Sequence, residues 1–210
     1  MKKISIVTSK KYLKSKHYET LIEILTSNDT EYDVVNIDER DKKNSKLEQS
    51  NLLISVGGDG TALRAMKIAW LSHLPVLNIG SGRIGYLVNS LNEIDFPKFL
   101  ADKKPDNIKK RTPVIQNGDE NLPAFNEIVI IKNSPTRILD IELEVYNQNV
   151  KLRADGIIIS TSLGSTAYNY SAGGPIVQTS LETMIITPIS PFTKFPRSIV
   201  VDNGSELNIK

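Results

Sequence analysis

Asn51-Leu52-Leu53-Ile54-Ser55-Val56-Gly57-Gly58-Asp59-Gly60-Thr61-Ala62-Leu63 is the stretch whose reading decides the fold. Asn51–Val56 is a nearly unbroken apolar run of strand length, as expected of a parallel strand covered on both faces. It breaks at Gly57-Gly58-Asp59-Gly60, and apolar residues then recur at helical spacing over roughly Thr61–Leu71. A buried strand that turns sharply into a helix gathers amides lacking intrahelical partners at one spot. Two consecutive glycines let an anion approach that backbone closely. An aspartate among such donors would repel phosphate unless it accepts a proton from an attacking hydroxyl or holds a metal ion. The plainer alternative is a tight turn whose aspartate caps the helix.

The same alternation continues on both sides. Ile4–Thr8 reads as a buried strand, Lys16–Thr26 as a helix presenting Tyr18, Leu21, Ile22 and Leu25 on one face, and Tyr32–Ile37 as a strand. A charged connector follows over Asp38–Ser50, and Pro75–Ile79 reads as a further buried strand. Strands alternating with helices imply a parallel sheet. Beyond the charged stretch Ala101–Arg111 the character changes. Ala124–Ile131, Ile138–Tyr146, Val150–Leu152, Gly156–Ser160, Met184–Thr187, Ser198–Val201 and Glu206–Ile209 all read as strands, with a hairpin turn at Asn147-Gln148-Asn149. Ile141, Leu143 and Val145 alternate with acidic residues, the pattern of a half-buried antiparallel strand. The expected architecture is an α/β domain over 1–100, a parallel sheet with flanking helices, followed by a β-rich domain over 101–210. A cleft between them is the expected ligand site.

Bulk composition removes several functions. The 210 residues carry 26 basic and 24 acidic side chains for a net charge of +2, which is no polyanion signature. The basic cluster from Lys103-Lys104 to Lys109-Lys110-Arg111 reads as a solvated connector, so no nucleic-acid partner is expected. Without cysteine there is no disulfide, thiolate nucleophile or zinc–thiolate site, which fits a cytoplasmic setting. Met1-Lys2-Lys3-Ile4 opens no signal peptide, and no run approaches the roughly 18 apolar residues of a membrane span. His17 and His73 lie far from any carboxylate cluster, and no P-loop motif is present.

Two further glycine-rich runs differ in value. Gly80-Ser81-Gly82-Arg83-Ile84-Gly85 matches the dinucleotide fingerprint formally, but Tyr86-Leu87-Val88-Asn89 continues as loop or strand with no helix opening. It reads as a loop at the cleft mouth. The stretch from Asp155-Gly156 to Gly173-Gly174-Pro175 is richer: an apolar strand delivers Ser160-Thr161-Ser162-Leu163-Gly164-Ser165-Thr166-Ala167, then Tyr168-Asn169-Tyr170-Ser171. Small polar residues admit backbone contact with a ligand, and a tyrosine ring can lie against a purine. Asn126-Glu127, at the head of another strand, pairs a donor with an acceptor and suits a ribose diol.

Together these runs resemble the NAD kinase family over nearly the whole chain. The glycine–aspartate run alone also occurs in lipid kinases; the segment Gly164–Tyr168 ending in Ala172-Gly173-Gly174-Pro175 is what separates the two. The resemblance implies phosphoryl transfer, with Mg²⁺ and ATP or with polyphosphate, to the 2′-hydroxyl of the adenosine ribose of NAD. It implies that Asp59 is the base. It places Gly57, Gly58, Gly60, Thr61, Arg64, Tyr86, Asn126, Glu127, Arg137, Arg153 and Asp155 among the nucleotide-binding residues, with Thr166, Ala167, Tyr168, Asn169, Tyr170 and Ser171 along the adenosine side. Asp155 is expected to face a ligand held by a neighbouring subunit, within a homodimer or homotetramer. Departures are Gly80-Ser81 for the usual Asn-Leu, Ser162-Leu163 for Pro-Thr, and Phe192 where histidine is common; relatives continue for several more strands past the position of Lys210. The alternatives are a lipid kinase sharing the loop and a catalytically weak NAD-binding module.

Overall fold

Ile4–Thr8 (β1) is buried along its whole length, the property of a strand covered on both faces. It pairs in parallel with Tyr32–Asn36 (β2) on one side and Leu52–Gly57 (β3) on the other. Val76–Gly80 (β4) completes a parallel sheet in the order β2-β1-β3-β4. The computed structural model describes residues 3–38, 47, 49–81, 85–101, 108–116, 122–146, 148–192 and 196–210. Within these the chain forms two units, Met1–Lys109 and Lys110–Lys210.

The alternation along each strand of the first unit sorts side chains into two layers. Ile4, Ile6, Ile54, Val56 and Ile79 meet Leu21 and Leu25 of Lys16–Ser27 (α1) and Phe96 of Phe96–Ala101 (α3). Val7, Val35 and Leu53 meet Ala65 and Ala69 of Asp59–Leu71 (α2) on the opposite face. The small residues of α2 let the helix sit close to the sheet. Two pairs of polar side chains inside this unit bond each other: Ser5 with Ser50 at 2.7 Å, and Ser55 donating to Asn78 at 2.7 Å. α1 begins at Ser15, whose hydroxyl accepts the Tyr18 amide.

The second unit is antiparallel throughout. Glu127–Ile131 (β5), Gly156–Thr161 (β8), Thr183–Ile189 (β9) and Ile199–Asp202 (β10) form one sheet in the order β10-β9-β8-β5. Leu139–Val145 (β6), Gln148–Ala154 (β7) and Asn208–Ile209 (β11) form the other, in the order β11-β6-β7. Ile141, Leu143, Val145 and Leu152 from one sheet share a core with Ile157, Ile159, Met184, Ile186 and Val201 from the other. Asp155 alone separates β7 from β8, where the chain passes from one sheet to the other. Among the described residues no helix is long and apolar enough to cross a membrane.

The expected fold class is therefore found, with local corrections. α2 begins at Asp59 instead of Thr61, because Gly58 is its N-cap in extended conformation. The hairpin turn falls earlier than Asn147-Gln148-Asn149: Val145 pairs with Gln148, so Gln148 and Asn149 are strand and Tyr146 turns with φ +49°. Asn147 lies outside the described residues, as do Gly82-Arg83-Ile84, Lys103-Lys104 and much of the Asp38–Ser50 connector. β5 starts at Glu127, not Ala124, since the carbonyls of Phe125 and Asn126 turn to Thr161. β11 is only Asn208–Ile209. The short α3, and the helical turns at Leu163–Thr166 and Tyr168–Ser171 (α4), were not legible from periodicity.

Leu143 is completely buried between the two sheets of the second unit. Leu143→Ala is expected to lower unfolding free energy by about 2–5 kcal/mol, measured by urea denaturation, because transfer and cavity costs add. A change under about 1 kcal/mol would mean that this core collapses around the void.

Candidate functional site

The first candidate centre lies at the carboxyl edge of the parallel sheet. β3 ends at Gly57, Gly58 takes φ −98° and ψ −173°, and the carbonyl of Gly58 accepts the amides of Thr61 at 2.9 Å and Ala62 at 3.0 Å. The amides of Asp59 and Gly60 sit in the first turn, where no carbonyl of the helix can reach them. Asp59 does not cap its own helix. Its two carboxylate oxygens accept backbone amides from the loop after β4: Tyr86 N–H to Oδ2 and Leu87 N–H to Oδ1, each at 3.0 Å. This loop can come so close because residue 85 is glycine; a Cβ there would collide with the Asp59 carboxylate. A carboxylate offers about four acceptor directions, so two backbone donors orient it and leave capacity for a hydroxyl.

Other sequence-derived residues gather at the same edge. Arg64 is one turn along α2, exposed, with its guanidinium 3.9 Å from Asp38. The other oxygen of Asp38 accepts the Lys10 amide at 2.8 Å. The Tyr86 ring stands 79% exposed while its amide holds Asp59. Among the described residues, no three histidines or carboxylates group tightly enough to hold a metal ion unaided.

The second candidate centre belongs to the second unit, where β8 ends in Thr161. Thr161 bonds the preceding segment twice, its amide to the Asn126 carbonyl at 2.8 Å and its hydroxyl to the Phe125 carbonyl at 2.6 Å. Gly164 then packs against the Asn126 backbone so tightly that a Cβ has no room. These contacts bring Asn126 against Gly164, and Glu127 to the backbone N–H of Tyr168. Glu127 is half-buried, and burial pushes its carboxyl pKa up, opposed by the backbone N–H of Tyr168. Its Oε2 is buried and has no hydrogen-bond partner. A buried acceptor without a donor is the mark of a site awaiting one, such as a ligand hydroxyl.

Asn169 has a different part from its neighbours. It is fully buried; its amide nitrogen donates to the carbonyls of Ser165 and Pro175, each at 3.0 Å, and its oxygen accepts the Thr187 hydroxyl at 2.7 Å. It braces the loop from inside and leaves Tyr168 and Tyr170, 40% and 59% exposed, on the surface. Thr187 lies in no motif and Ser165 lies in the Gly164–Tyr168 segment, but their part in this brace shows only in the buried network.

Arg153 and Asp155 lie elsewhere. Arg153 pairs with Asp140 at 3.1 Å and stands over the Phe192 ring at 5.8 Å. Asp155 pairs with Lys132 at 2.6 Å. Asp155 precedes β8 and Thr161 ends it, so Asp155 and Glu127 are separated by a strand length of about 17 Å. Arg137 is exposed in the β5–β6 connection.

The chain is similar to known proteins over both of its units. The family profile described as the ATP-NAD kinase N-terminal domain matches residues 2–104, and the ATP-NAD kinase C-terminal domain matches residues 125–210. The NAD kinase of Caldicellulosiruptor bescii is 34% identical over 207 residues, covering 97% of this chain and 77% of that protein. The NAD kinase of Methanothermobacter thermautotrophicus is 39% identical over 164 residues, and the match covers 77% of this chain but 58% of that relative. An NAD kinase from Archaeoglobus fulgidus, solved in complex with ATP, superimposes with a TM-score of 0.77 at 28% identity, over 99% of this chain and 80% of that one.

The environment of Glu127 generates a pH-dependent prediction. Its folded pKa lies above its unfolded value, so the stability tied to its proton is present below the unfolded pKa and lost as pH rises through the folded one. At neutral pH the ionised form is therefore a cost to the fold. Glu127→Gln should melt at a higher temperature than the parent at pH 8, with the gap closing below about pH 4. A lower melting temperature at pH 8 would show that the carboxylate is satisfied.

Proposed function

This chain belongs to the ATP-NAD kinase family, and from that premise we propose that it transfers the terminal phosphoryl group of ATP to the 2′-hydroxyl of the adenosine ribose of NAD, giving NADP and ADP. The family assignment sets aside the lipid-kinase reading. The observation that carries the proposal is the orientation of Asp59, held by two amides from another loop with acceptor capacity to spare. In the proposed reaction the 2′-oxygen attacks the terminal phosphorus, its proton passes to Asp59, and the bond to the ADP oxygen breaks. Such transfers need positioning and charge neutralisation more than covalent help.

In this reading Asn126 and Glu127 hold the ribose, with a hydroxyl donating to the unpartnered Glu127 oxygen. The ring of Tyr168, with Thr166, Ala167, Tyr170 and Ser171, lines the adenosine side. The amides at the start of α2 and the charge of Arg64 offset phosphate charge. Mg²⁺ bound with the donor would supply charge neutralisation for the phosphate chain, since the described residues group no three histidines or carboxylates that could hold the ion by themselves. The chain acts in the cytoplasm and takes no nucleic-acid or membrane partner.

Incubation with NAD, ATP and Mg²⁺, with NADP read by an NADP-specific dehydrogenase, tests the function and separates a kinase from a module that only binds NAD. Asp59→Asn should lower kcat about 10²–10⁴-fold, the contribution of a general base, with calorimetric NAD affinity largely kept. A variant that retains most of its kcat would remove Asp59 from the chemistry.

We further propose a homodimer or homotetramer in which Asp155 serves a neighbour's ligand, consistent with its distance from Glu127 in one chain. Mixed oligomers of Asp59→Asn and Asp155→Ala subunits should regain activity that neither parent has. Light scattering that shows a fully active monomer would defeat the shared site.

A further inference from the structure

Thr187 lies outside every sequence motif, yet the polar order of the second unit runs through it. It sits on β9 opposite Ile158 of β8 and is fully buried. Its hydroxyl lies 2.7 Å from Asn169 Oδ1 on one side and 2.8 Å from the Ser198 hydroxyl on the other. Ser198 stands just before β10, so these three side chains tie the loop over 163–175 to two strands of the sheet.

The direction of this chain follows from counting protons. The Asn169 amide nitrogen gives both hydrogens to the carbonyls of Ser165 and Pro175, which fixes its oxygen as an acceptor. Thr187 has one proton and donates it to that oxygen. Toward Ser198 it can then only accept, so the Ser198 hydroxyl, which also reaches the Arg197 carbonyl at 2.7 Å, is the donor. Position 187 must therefore donate and accept at once, in an interior where either half left unmade is costly. Valine matches threonine in shape and can do neither.

What the chain holds is the backbone on both sides of Asn169. Its amide joins Ser165 before the turn to Pro175 after it, and the Gly174 amide donates to the Asn169 carbonyl at 2.9 Å. Gly174 has no room for a Cβ because the Asn169 side chain fills that space. Tyr168 directly precedes Asn169, and its backbone N–H reaches the carboxylate of Glu127, whose Oε2 is left without a partner. A shift of the loop at Asn169 moves that amide, and with it the acceptor that the ribose contact would use.

Resting on the kinase reading above, we propose that Thr187 is a positioning residue for NAD: through Asn169 it holds the Tyr168 amide on Glu127, with Ser198 as the donor that completes the chain. A Thr187 that served stability alone would change melting and leave NAD affinity as it is.

Calorimetric titration of the full chain with NAD, below the melting transition of each variant, tests this. Thr187→Val should weaken NAD binding about threefold to thirtyfold, the scale of one buried hydrogen bond. KM for ATP, and kcat at saturating NAD, should stay within about twofold. Thr187→Ser keeps the hydroxyl and should bind NAD within about twofold of the parent, with Ser198→Ala between the parent and Thr187→Val. Asn169→Ala should bind NAD as weakly as the double variant with Thr187→Val, because Thr187 has no other route to the site. Leu143→Ala, a void in the core of the same unit, controls for lost stability and should keep NAD affinity. Parent-like affinity in Thr187→Val, a further loss in the double variant, or an equal loss in Leu143→Ala would each overturn the positioning role. A parent that binds NAD yet forms no NADP would defeat the kinase reading alone, and the titrations would still decide Thr187. A parent that binds no NAD would overturn both.

Discussion

The position of β3 between β1 and β4 is the constraint on which the first unit's chemistry depends. Parallel pairing aligns the carboxyl ends of the strands, Thr8 with Val56 and Gly57 with Gly80, so three loops distant in sequence leave the sheet at one edge. The loop after β3 carries Asp59, the loop after β4 clamps it through the amides of Tyr86 and Leu87, and the loop after β1 brings Tyr12 to Gly58. A hairpin would have sent alternate loops to opposite ends. The burial of every residue of β1, Ser5 and Thr8 included, goes with its central position, since only a strand covered on both faces is buried along its whole length.

A carboxylate oriented by two amides differs from one on a flexible surface. Its rotamer is set before any substrate arrives, so less orientational freedom is lost in the transition state. Gly85 matters here for space alone: without a Cβ, the loop approaches until its amides reach the carboxylate. The departures from the family pattern at Gly80 and Ser81 leave this contact in place, and Ser81 donates its amide to the Gly57 carbonyl at 3.1 Å.

The second unit solves a different problem, a rigid loop built from small residues. Small residues bury little apolar surface, so a buried polar network supplies the order instead. Asn169 spends its side chain on three partners, and Thr161 and Gly164 bind the loop to the backbone of Phe125 and Asn126. Such networks specify one conformation because leaving any member unpaired in a low-dielectric interior is costly. The unpaired Glu127 oxygen beside this network is the exception, which fits the pattern that proteins break local rules where they work.

Strand and helix identity, the parallel-then-antiparallel division and the Asp59 turn were legible in the amino-acid sequence because each leaves a local trace. A nearly continuous apolar run marks β3, Ile4, Ile6 and Val7 mark β1, alternation marks β6, and glycines mark the turn between β3 and α2. The family motifs likewise sit in short contiguous stretches. Only the tertiary structure decided that Asp59 answers to the loop after β4 and not to its own helix, and that Asn169 points inward while Tyr168 and Tyr170 point out. It also separated Asp155 from Glu127 by a strand length and set the Tyr12 hydroxyl beside Gly58. These facts rest on strand order, on pairing register and on space left by a missing Cβ, which no periodicity within one segment can encode.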